Sequence, residues 1–317
     1  PDDMLWAWAQ ELYRNPEWLK SLGARLDGGE GDVYFTSPNH TVATEEQKDQ
    51  GYSFGTEFPE FPGATSMYTI RPRQAGWGWF TLLSGQVKKR GIEVLYGTPA
   101  KELVQDPSSK EILGVLAEDS RGRSVAVRAN RAVVLTTGGF EYNMEMQATY
   151  LRAWPFHFIG NTGNTGDGIG MAQKAGAALW HMNNVAARVV AWWPDFPVAI
   201  SITPFGGRQW DIHRTREGKR FPHYGSAYSV IIVDKHGKRF ASEQYKAHTF
   251  YWEVIHFDTQ KVEFPRIPSH LIFDEKRRAA GPMNIVAGAS TYVRMYEWSP
   301  DNMKEVEKGW IRKANTI

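Results

Sequence analysis

Cysteine is absent from all 317 residues of the chain. Its absence excludes disulfides, cysteine-based zinc sites, iron–sulfur ligation and thiol nucleophiles from this chain. Nine histidines are present, but neither HExxH nor another ligand spacing joins them, so the sequence predicts no metal site.

Long apolar runs and an excess of charge of one sign are also missing. No stretch approaches the roughly 20 apolar residues that a membrane-spanning helix needs, so we expect no membrane span. The 37 basic residues nearly balance the 35 acidic ones and form no polybasic tract, which argues against nucleic acid as a partner. No signal peptide opens the chain, and we expect a cytoplasmic protein.

The most informative stretch of the sequence is 131–182. Its first half, RAVVLTTGGF, has an apolar run that stops at a Thr-Gly-Gly turn, which predicts a buried parallel strand over 132–136. Its second half contains NTGDG and then a helical pattern with Met182 as its last apolar position. A helix that begins in a Gly-Asp-Gly turn presents free N–H groups and the carboxylate of Asp167 at one point.

This pair of motifs resembles the superfamily of FAD-dependent fumarate reductases, succinate dehydrogenases and 3-ketosteroid dehydrogenases. There, a strand ends in a Thr-Gly-Gly turn beside the cofactor, and an NTGDG turn opens the last helix before the substrate domain. The resemblance implies FAD as the cofactor, with Asp167 accepting a hydrogen bond from a cofactor hydroxyl. The residues that it assigns to cofactor binding are Ala100, Thr137, Gly138, Gly139, Asn164, Thr165, Gly166, Asp167 and Gly168.

The other predicted elements follow the order of the same superfamily. A strand is predicted over 92–96, and three short strands predict a β-meander over 100–105, 112–117 and 124–128. By the resemblance, Ala100 would lie at the adenine of FAD, whereas its sequence context alone indicates an ordinary strand residue. Residues 228–243 resemble the hairpin that opens the superfamily's substrate-binding cap, and 269–273 resemble a strand of its ketosteroid dehydrogenase branch.

The resemblance implies a mixed α/β and α+β fold in two domains. Residues 1–185 would be the remaining part of a Rossmann-like FAD-binding domain with its β-meander, and 186–317 an α+β substrate-binding capping domain, incomplete at its C-terminus. The superfamily's strand–GxGxxG–helix unit, which cradles the pyrophosphate, is absent from the sequence, as is its C-terminal segment. We expect these missing segments of the same protein as partners, and the chain alone to bind FAD weakly or not at all.

The catalytic residue does not follow from the resemblance. The superfamily places an arginine or tyrosine proton donor four residues after the glutamate that corresponds to Glu243, and here that position is Ala247. Alanine cannot transfer a proton, so the nearby candidates are Tyr245, Lys246 and His248.

The expected substrate is a small molecule, flat and apolar. Arg188 stands where the fumarate reductase branch has a histidine, so the known way of recognising a dicarboxylate is not expected. The candidate substrate residues are Arg188, Trp192 and Trp193. Packing within the cap is the alternative role of the two tryptophans.

Three functions remain open at this point. The first is an FAD-dependent oxidoreductase that transfers a hydride between flavin N5 and a carbon next to a carbonyl, like a 3-ketosteroid dehydrogenase. The second is a flavin-dependent enoate or fumarate-type reductase with a rearranged proton donor. The third is a non-catalytic chain that binds a small molecule.

Overall fold

The computed structural model describes residues 2–12, 14–25, 35–36, 71–72, 76–185, 189–202, 230–241, 243, 250–279, 281–284 and 296–316. The chain forms two compact units, Pro1–Val94 and Leu95–Ile317. The helices of the described residues are α1 (Asp2–Leu12), α2 (Asn15–Ser21), α3 (Gly76–Lys89), α4 (Met144–Tyr150), α5 (Asp167–Lys174), α6 (Phe250–Val254), α7 (Glu275–Ala279) and α8 (Met303–Glu307). The strands are β1 (Phe35–Thr36), β2 (Arg71–Pro72), β3 (Ala100–Gln105), β4 (Ile112–Glu118), β5 (Ser124–Arg128), β6 (Val190–Ala191), β7 (Ile200–Ser201), β8 (Val230–Val233) and β9 (His270–Phe273).

The first unit has a small core between α2 and α3. Leu19 and Leu22 are buried against Leu82 of α3, with Trp79 packed on the same cluster. The Gln86 side chain donates a hydrogen bond of 2.7 Å to the carbonyl of Leu22, which ties the end of α2 to α3. These contacts place the apolar face of α3 against α2, as expected for an amphipathic helix in a globular unit.

The predicted β-meander is confirmed. Strands β3, β4 and β5 form one antiparallel sheet in sequence order. Val115 of β4 lies opposite Leu103 on one side and Val127 on the other. At the turn between β4 and β5, the backbone N–H groups of Arg121 and Arg123 donate to the carboxylate of Asp119, as expected for an Asp at the start of a turn.

The predicted strand over 92–96 and the predicted parallel strand over 132–136 are both wrong. Both segments have irregular backbone, and within the described residues no strand pairs with either. Apolar side chains in them are exposed, as shown by Val134 at 80% and Tyr96 at 87%. A parallel strand is stable only where a neighbour pairs with it and helices cover it, and the described residues provide no such neighbour.

Helix α5 begins where the sequence predicts but ends earlier. It stops at Lys174, so the predicted apolar position Met182 lies beyond it. Gly176 adopts φ +96°, and the N–H of Ala177 donates to the carbonyl of Ala172 at 2.9 Å. This is the hydrogen-bond pattern by which a glycine ends a helix, and it outweighs the apolar periodicity that continues past it.

The C-terminal part of the second unit is built from short antiparallel pairs. Strand β8 pairs with β9, and β6 pairs with β7. Glu243 accepts hydrogen bonds from the N–H of Ile232 in β8 and from the guanidinium of Arg239. These bonds connect β8 to the segment that follows it in the sequence. A second core contains Ile200, Met283, Trp298 and Trp310. In the part of the chain that the structure describes, no helix is both long enough and apolar enough to cross a bilayer.

Candidate cofactor site

The structure brings the Thr-Gly-Gly turn and the NTGDG turn into direct contact. The N–H of Gly166 donates to the carbonyl of Gly139 at 3.0 Å. The N–H of Tyr142 donates to the carbonyl of Asn164, also at 3.0 Å. The two motifs that the sequence singled out therefore form one surface, here called the paired turns (residues 137–143 and 164–168).

Two glycines are required for this close approach. Gly138 has φ +77°, and a Cβ on it would lie 2.3 Å from Oδ1 of Asn164. Gly168 is in the first turn of α5, where a Cβ would lie 1.9 Å from Oγ1 of Thr137. A Cβ at either position would have to displace the side chain of Asn164 or Thr137, so the glycines allow the two turns to pack backbone against side chain.

Asp167 lies at the exposed edge of the paired turns. It is the first residue of α5, after Gly166 in the left-handed conformation with φ +81°. Its Oδ2 accepts a hydrogen bond from the hydroxyl of Thr165 at 2.9 Å, and the residue is exposed. Free N–H groups of a helix N-terminus beside an acceptor carboxylate suit a ligand that carries hydroxyl or other polar groups.

Two residues that the sequence argument did not select hold the paired turns together. Asn143 caps α4, since its Oδ1 accepts from the N–H of Met146 at 3.0 Å, and its Nδ2 donates to the carbonyl of Thr165 at 2.9 Å. Glu141 accepts from Nδ2 of Asn164 at 3.2 Å, and its Oε2 is buried without a partner among the described residues. The preference for Asn just before a helix was a sequence signal for Asn143. Nothing in the sequence pointed to Glu141.

Ala100 lies in a strand that is connected to the same helix. It is the first residue of β3, opposite Ala117 of β4. At the other end of β3, the side chain of Gln105 donates to the carbonyl of Ala175, just after α5, at 3.0 Å. The meander is therefore anchored to the C-terminal end of α5.

The two adjacent tryptophans have different surroundings. Trp192 stacks on His157, with ring centroids 4.0 Å apart and an angle of 5° between the planes. Trp193 packs into the second core, stacks on Trp310 at 4.4 Å and donates its indole N–H to the carbonyl of the same residue. The remaining predicted substrate and catalytic residues, Arg188, Tyr245, Lys246 and His248, lie outside the described residues, as does Ala247 at the expected proton-donor position.

Comparison with known proteins identifies the family. The sequence model of the protein family described as the FAD-binding domain matches residues 7–276 of this chain. The chain belongs to the FAD-binding domain family. This confirms the resemblance drawn from the two motifs, and it makes FAD the cofactor.

Similar proteins of this family are dehydrogenases and reductases. A 3-oxosteroid 1-dehydrogenase of Mycolicibacterium smegmatis is 32% identical over 247 residues, which are 73% of this chain and 36% of that protein. A crystal structure of 3-ketosteroid Δ1-dehydrogenase from Sterolibacterium denitrificans, in complex with 1,4-androstadiene-3,17-dione, has a TM-score of 0.53 at 22% identity, covering 78% of this chain and 42% of that one. The open conformation of a flavocytochrome c3 fumarate reductase has a TM-score of 0.50 at 21% identity, covering 79% of this chain and 36% of that one. The chain thus spans well under half the length of these relatives.

The paired turns suit the part of FAD that carries hydroxyl groups. Asp167 is an exposed acceptor for a hydroxyl, and the glycine turn at Gly138 leaves backbone accessible beside it. The peptide N–H groups at the start of α5 add donors at the same edge. Mixed α/β structure with small antiparallel sheets agrees with the fold of the structural neighbours.

Proposed function

We propose that the full-length protein is an FAD-dependent oxidoreductase that acts on a CH–CH bond next to a carbonyl, like a 3-ketosteroid dehydrogenase. The observation that carries this proposal is the docking of the two turns, within a chain that belongs to the FAD-binding domain family. The 32% identity to a 3-oxosteroid 1-dehydrogenase supports the choice of a cyclic ketone as substrate.

Further segments of the same protein complete the FAD-binding domain in this proposal. Val134 and Leu135, which precede the Thr-Gly-Gly turn, are 80% and 38% exposed. Exposed apolar side chains at this place support the proposal, because a further segment would cover them. A strand–GxGxxG–helix unit would pair with 132–136 and supply the pyrophosphate cradle. Weak binding of FAD by the 317-residue chain alone follows from the same proposal and stays a prediction.

Residues 186–317 form the substrate-binding cap in this proposal. The aromatic side chains of Trp192 and Trp252 are 41% and 48% exposed, which suits a flat, apolar substrate. Trp193 has a packing role instead, because its ring and its N–H are both used within the second core. The roles of Arg188, Tyr245, Lys246 and His248 stay predictions, as does the cytoplasmic location.

The reaction removes a hydride and a proton from two adjacent carbons of the substrate. When bound, FAD supplies the hydride acceptor, and the protein supplies the proton acceptor and the groups that hold the carbonyl. In this chain, Asp167 binds a cofactor hydroxyl, and Gly138 and Gly168 keep the paired turns close enough to present it. The substrate leaves with a C=C bond conjugated to its carbonyl.

Anaerobic bleaching of the flavin tests this function. The full-length protein is loaded with FAD and mixed with a saturated 3-oxosteroid, and the flavin absorbance is followed. We expect the flavin to bleach as a ring C=C bond forms. A flavin that bleaches only with dithionite and is then reoxidised by an enoate would instead establish the reductase direction, which is the second candidate. A protein that binds no FAD would refute both.

A further inference from the structure

A histidine and a tryptophan far apart in the sequence form a parallel stack in the second unit. The imidazole of His157 lies flat on the indole of Trp192, with centroids 4.0 Å apart and planes 5° apart. The ring is stacked on one face although the residue as a whole is exposed, and desolvation by partial burial lowers the pKa of His157 below its usual value. A neutral imidazole with a lowered pKa is a proton acceptor at neutral pH.

Hydrogen bonds connect the segment of His157 to the paired turns. The carbonyl of the next residue, Phe158, accepts the hydroxyl of Tyr142 at 2.8 Å. Tyr142 itself donates its N–H to Asn164 of the NTGDG turn. The same Phe158 carbonyl accepts the N–H of Ala199, just before β7, at 3.0 Å. His157 is therefore adjacent to a residue that bridges the paired turns and the proposed cap.

The residue before His157 contacts the helix that follows the expected proton-donor position. Phe156 packs on Tyr251 of α6, with ring centroids 5.6 Å apart. Tyr251 is 2% exposed, and its hydroxyl donates to the carbonyl of Asn183 at 3.0 Å, so this contact is fixed. In the sequence, Tyr251 comes four residues after Ala247, the position at which the superfamily has its proton donor.

We propose that His157 accepts the substrate proton in this protein, because alanine occupies the expected proton-donor position at 247. In this proposal, Trp192 holds the imidazole ring of His157 in place and lines the substrate site. The proposal rests on the proposed function. The C–H bond on the carbon next to the carbonyl breaks, its proton goes to a ring nitrogen of His157, and a hydride leaves the neighbouring carbon to the bound FAD. The substrate is oxidised by two electrons and gains a C=C bond, while FAD is reduced by two electrons.

Proton transfer is separated from hydride transfer by measuring exchange. The full-length protein with its FAD reduced by dithionite has no hydride acceptor, so a 3-oxosteroid deuterated next to its carbonyl loses deuterium to water only by proton abstraction. We expect His157→Asn and His157→Gln to slow this exchange by about 100-fold or more, the usual contribution of a general base. Calorimetry measures the Kd for the steroid with FAD removed from the protein. We expect the Kd of both His157 variants to stay within about threefold of that of the unmodified protein, since only the acceptor for the proton is removed.

The chain offers a matched control in its second histidine–tryptophan stack. His181 stacks on Trp180, with centroids 4.5 Å apart and planes 19° apart, and Asn tolerates its positive φ of 53°. His181→Asn is expected to leave exchange unchanged. A His157→Ala variant is expected to regain exchange when imidazole is added.

The outcomes distinguish this proposal from the proposed function. If the unmodified protein bleaches and exchanges deuterium, and both His157 variants exchange at its rate, His157 is not the proton acceptor and the proposed function stands. If exchange is slow in these variants but steroid binding is lost to the same degree, the acceptor role is overturned and only a binding role is left. If the unmodified protein neither bleaches nor exchanges, the proposed function fails, and the role of His157 fails with it.

Discussion

Gly168 is the residue at which the two turns approach most closely. A Cβ there would lie 1.9 Å from Oγ1 of Thr137, whereas a Cβ on Gly170, in the same helix, would meet nothing within 4 Å. Neither glycine has a positive φ. The two positions therefore differ in packing and not in backbone conformation.

We predict opposite effects of alanine at these two glycines. Gly168→Ala is expected to lower the free energy of unfolding by about 2 kcal/mol, because the methyl group must push Thr137 away. Gly170→Ala is expected to raise it by about 0.5 kcal/mol, since alanine favours the helix. Urea unfolding of the full-length protein, followed by circular dichroism, measures both. Equal effects at the two positions would contradict the close packing of the turns.

The different surroundings of Trp192 and Trp193 could not be predicted from the sequence. The pairing of Trp192 with His157, and of Trp193 with Trp310, depends on contacts between distant parts of the chain. Because the two tryptophans are adjacent and identical, nothing in the sequence indicates that their side chains have different neighbours. The sequence selected both as substrate residues, and nothing in their local pattern distinguished the exposed one from the one that packs into a core.

At the scale of elements, Asn143 connects α4 to the NTGDG turn. Its side chain accepts from Met146 as a helix cap and donates to the carbonyl of Thr165. The cap is a local interaction, and the bond to Thr165 is a tertiary one. Substitutions can separate them, because aspartate keeps the acceptor and loses the donor.

We predict a graded effect of two substitutions at this residue. Asn143→Asp is expected to lower the free energy of unfolding by about 1 kcal/mol, through the loss of the bond to Thr165. Asn143→Ala is expected to lower it by about 2 kcal/mol, because the helix cap is lost as well. Denaturant unfolding measures both variants. If aspartate were as destabilising as alanine, the cap would contribute nothing.

Elements whose signals are local were predictable from the sequence. The meander of β3, β4 and β5 follows from short strands between turn residues, and the start of α5 follows from its Gly-Asp-Gly turn. The predicted strands over 92–96 and 132–136 failed because pairing with a distant strand depends on that neighbour and not only on the strand's own residues. The C-terminal end of α5 was misplaced because the apolar period continues past Lys174, where the helix ends before the turn at Gly176.

At the scale of the whole molecule, we propose that the docked turns form one wall of an FAD site. The chain covers 36% of the 3-oxosteroid 1-dehydrogenase that it matches and 42% of the structural neighbour. The paired turns present Asp167 and the start of α5 at one exposed edge. We propose that this edge binds FAD.

The most direct test of that claim is the Kd for FAD of the full-length protein carrying Asp167→Ala. Glu145→Ala is the matched control, since Glu145 is the exposed carboxylate in the first turn of α4. A hydrogen bond to a charged acceptor contributes about 1.5 kcal/mol or more, so Asp167→Ala is expected to raise the Kd about tenfold or more. Glu145→Ala is expected to leave the Kd within about twofold, because its carboxylate is outside the paired turns. An unchanged Kd in Asp167→Ala would contradict the assignment of the paired turns to the cofactor.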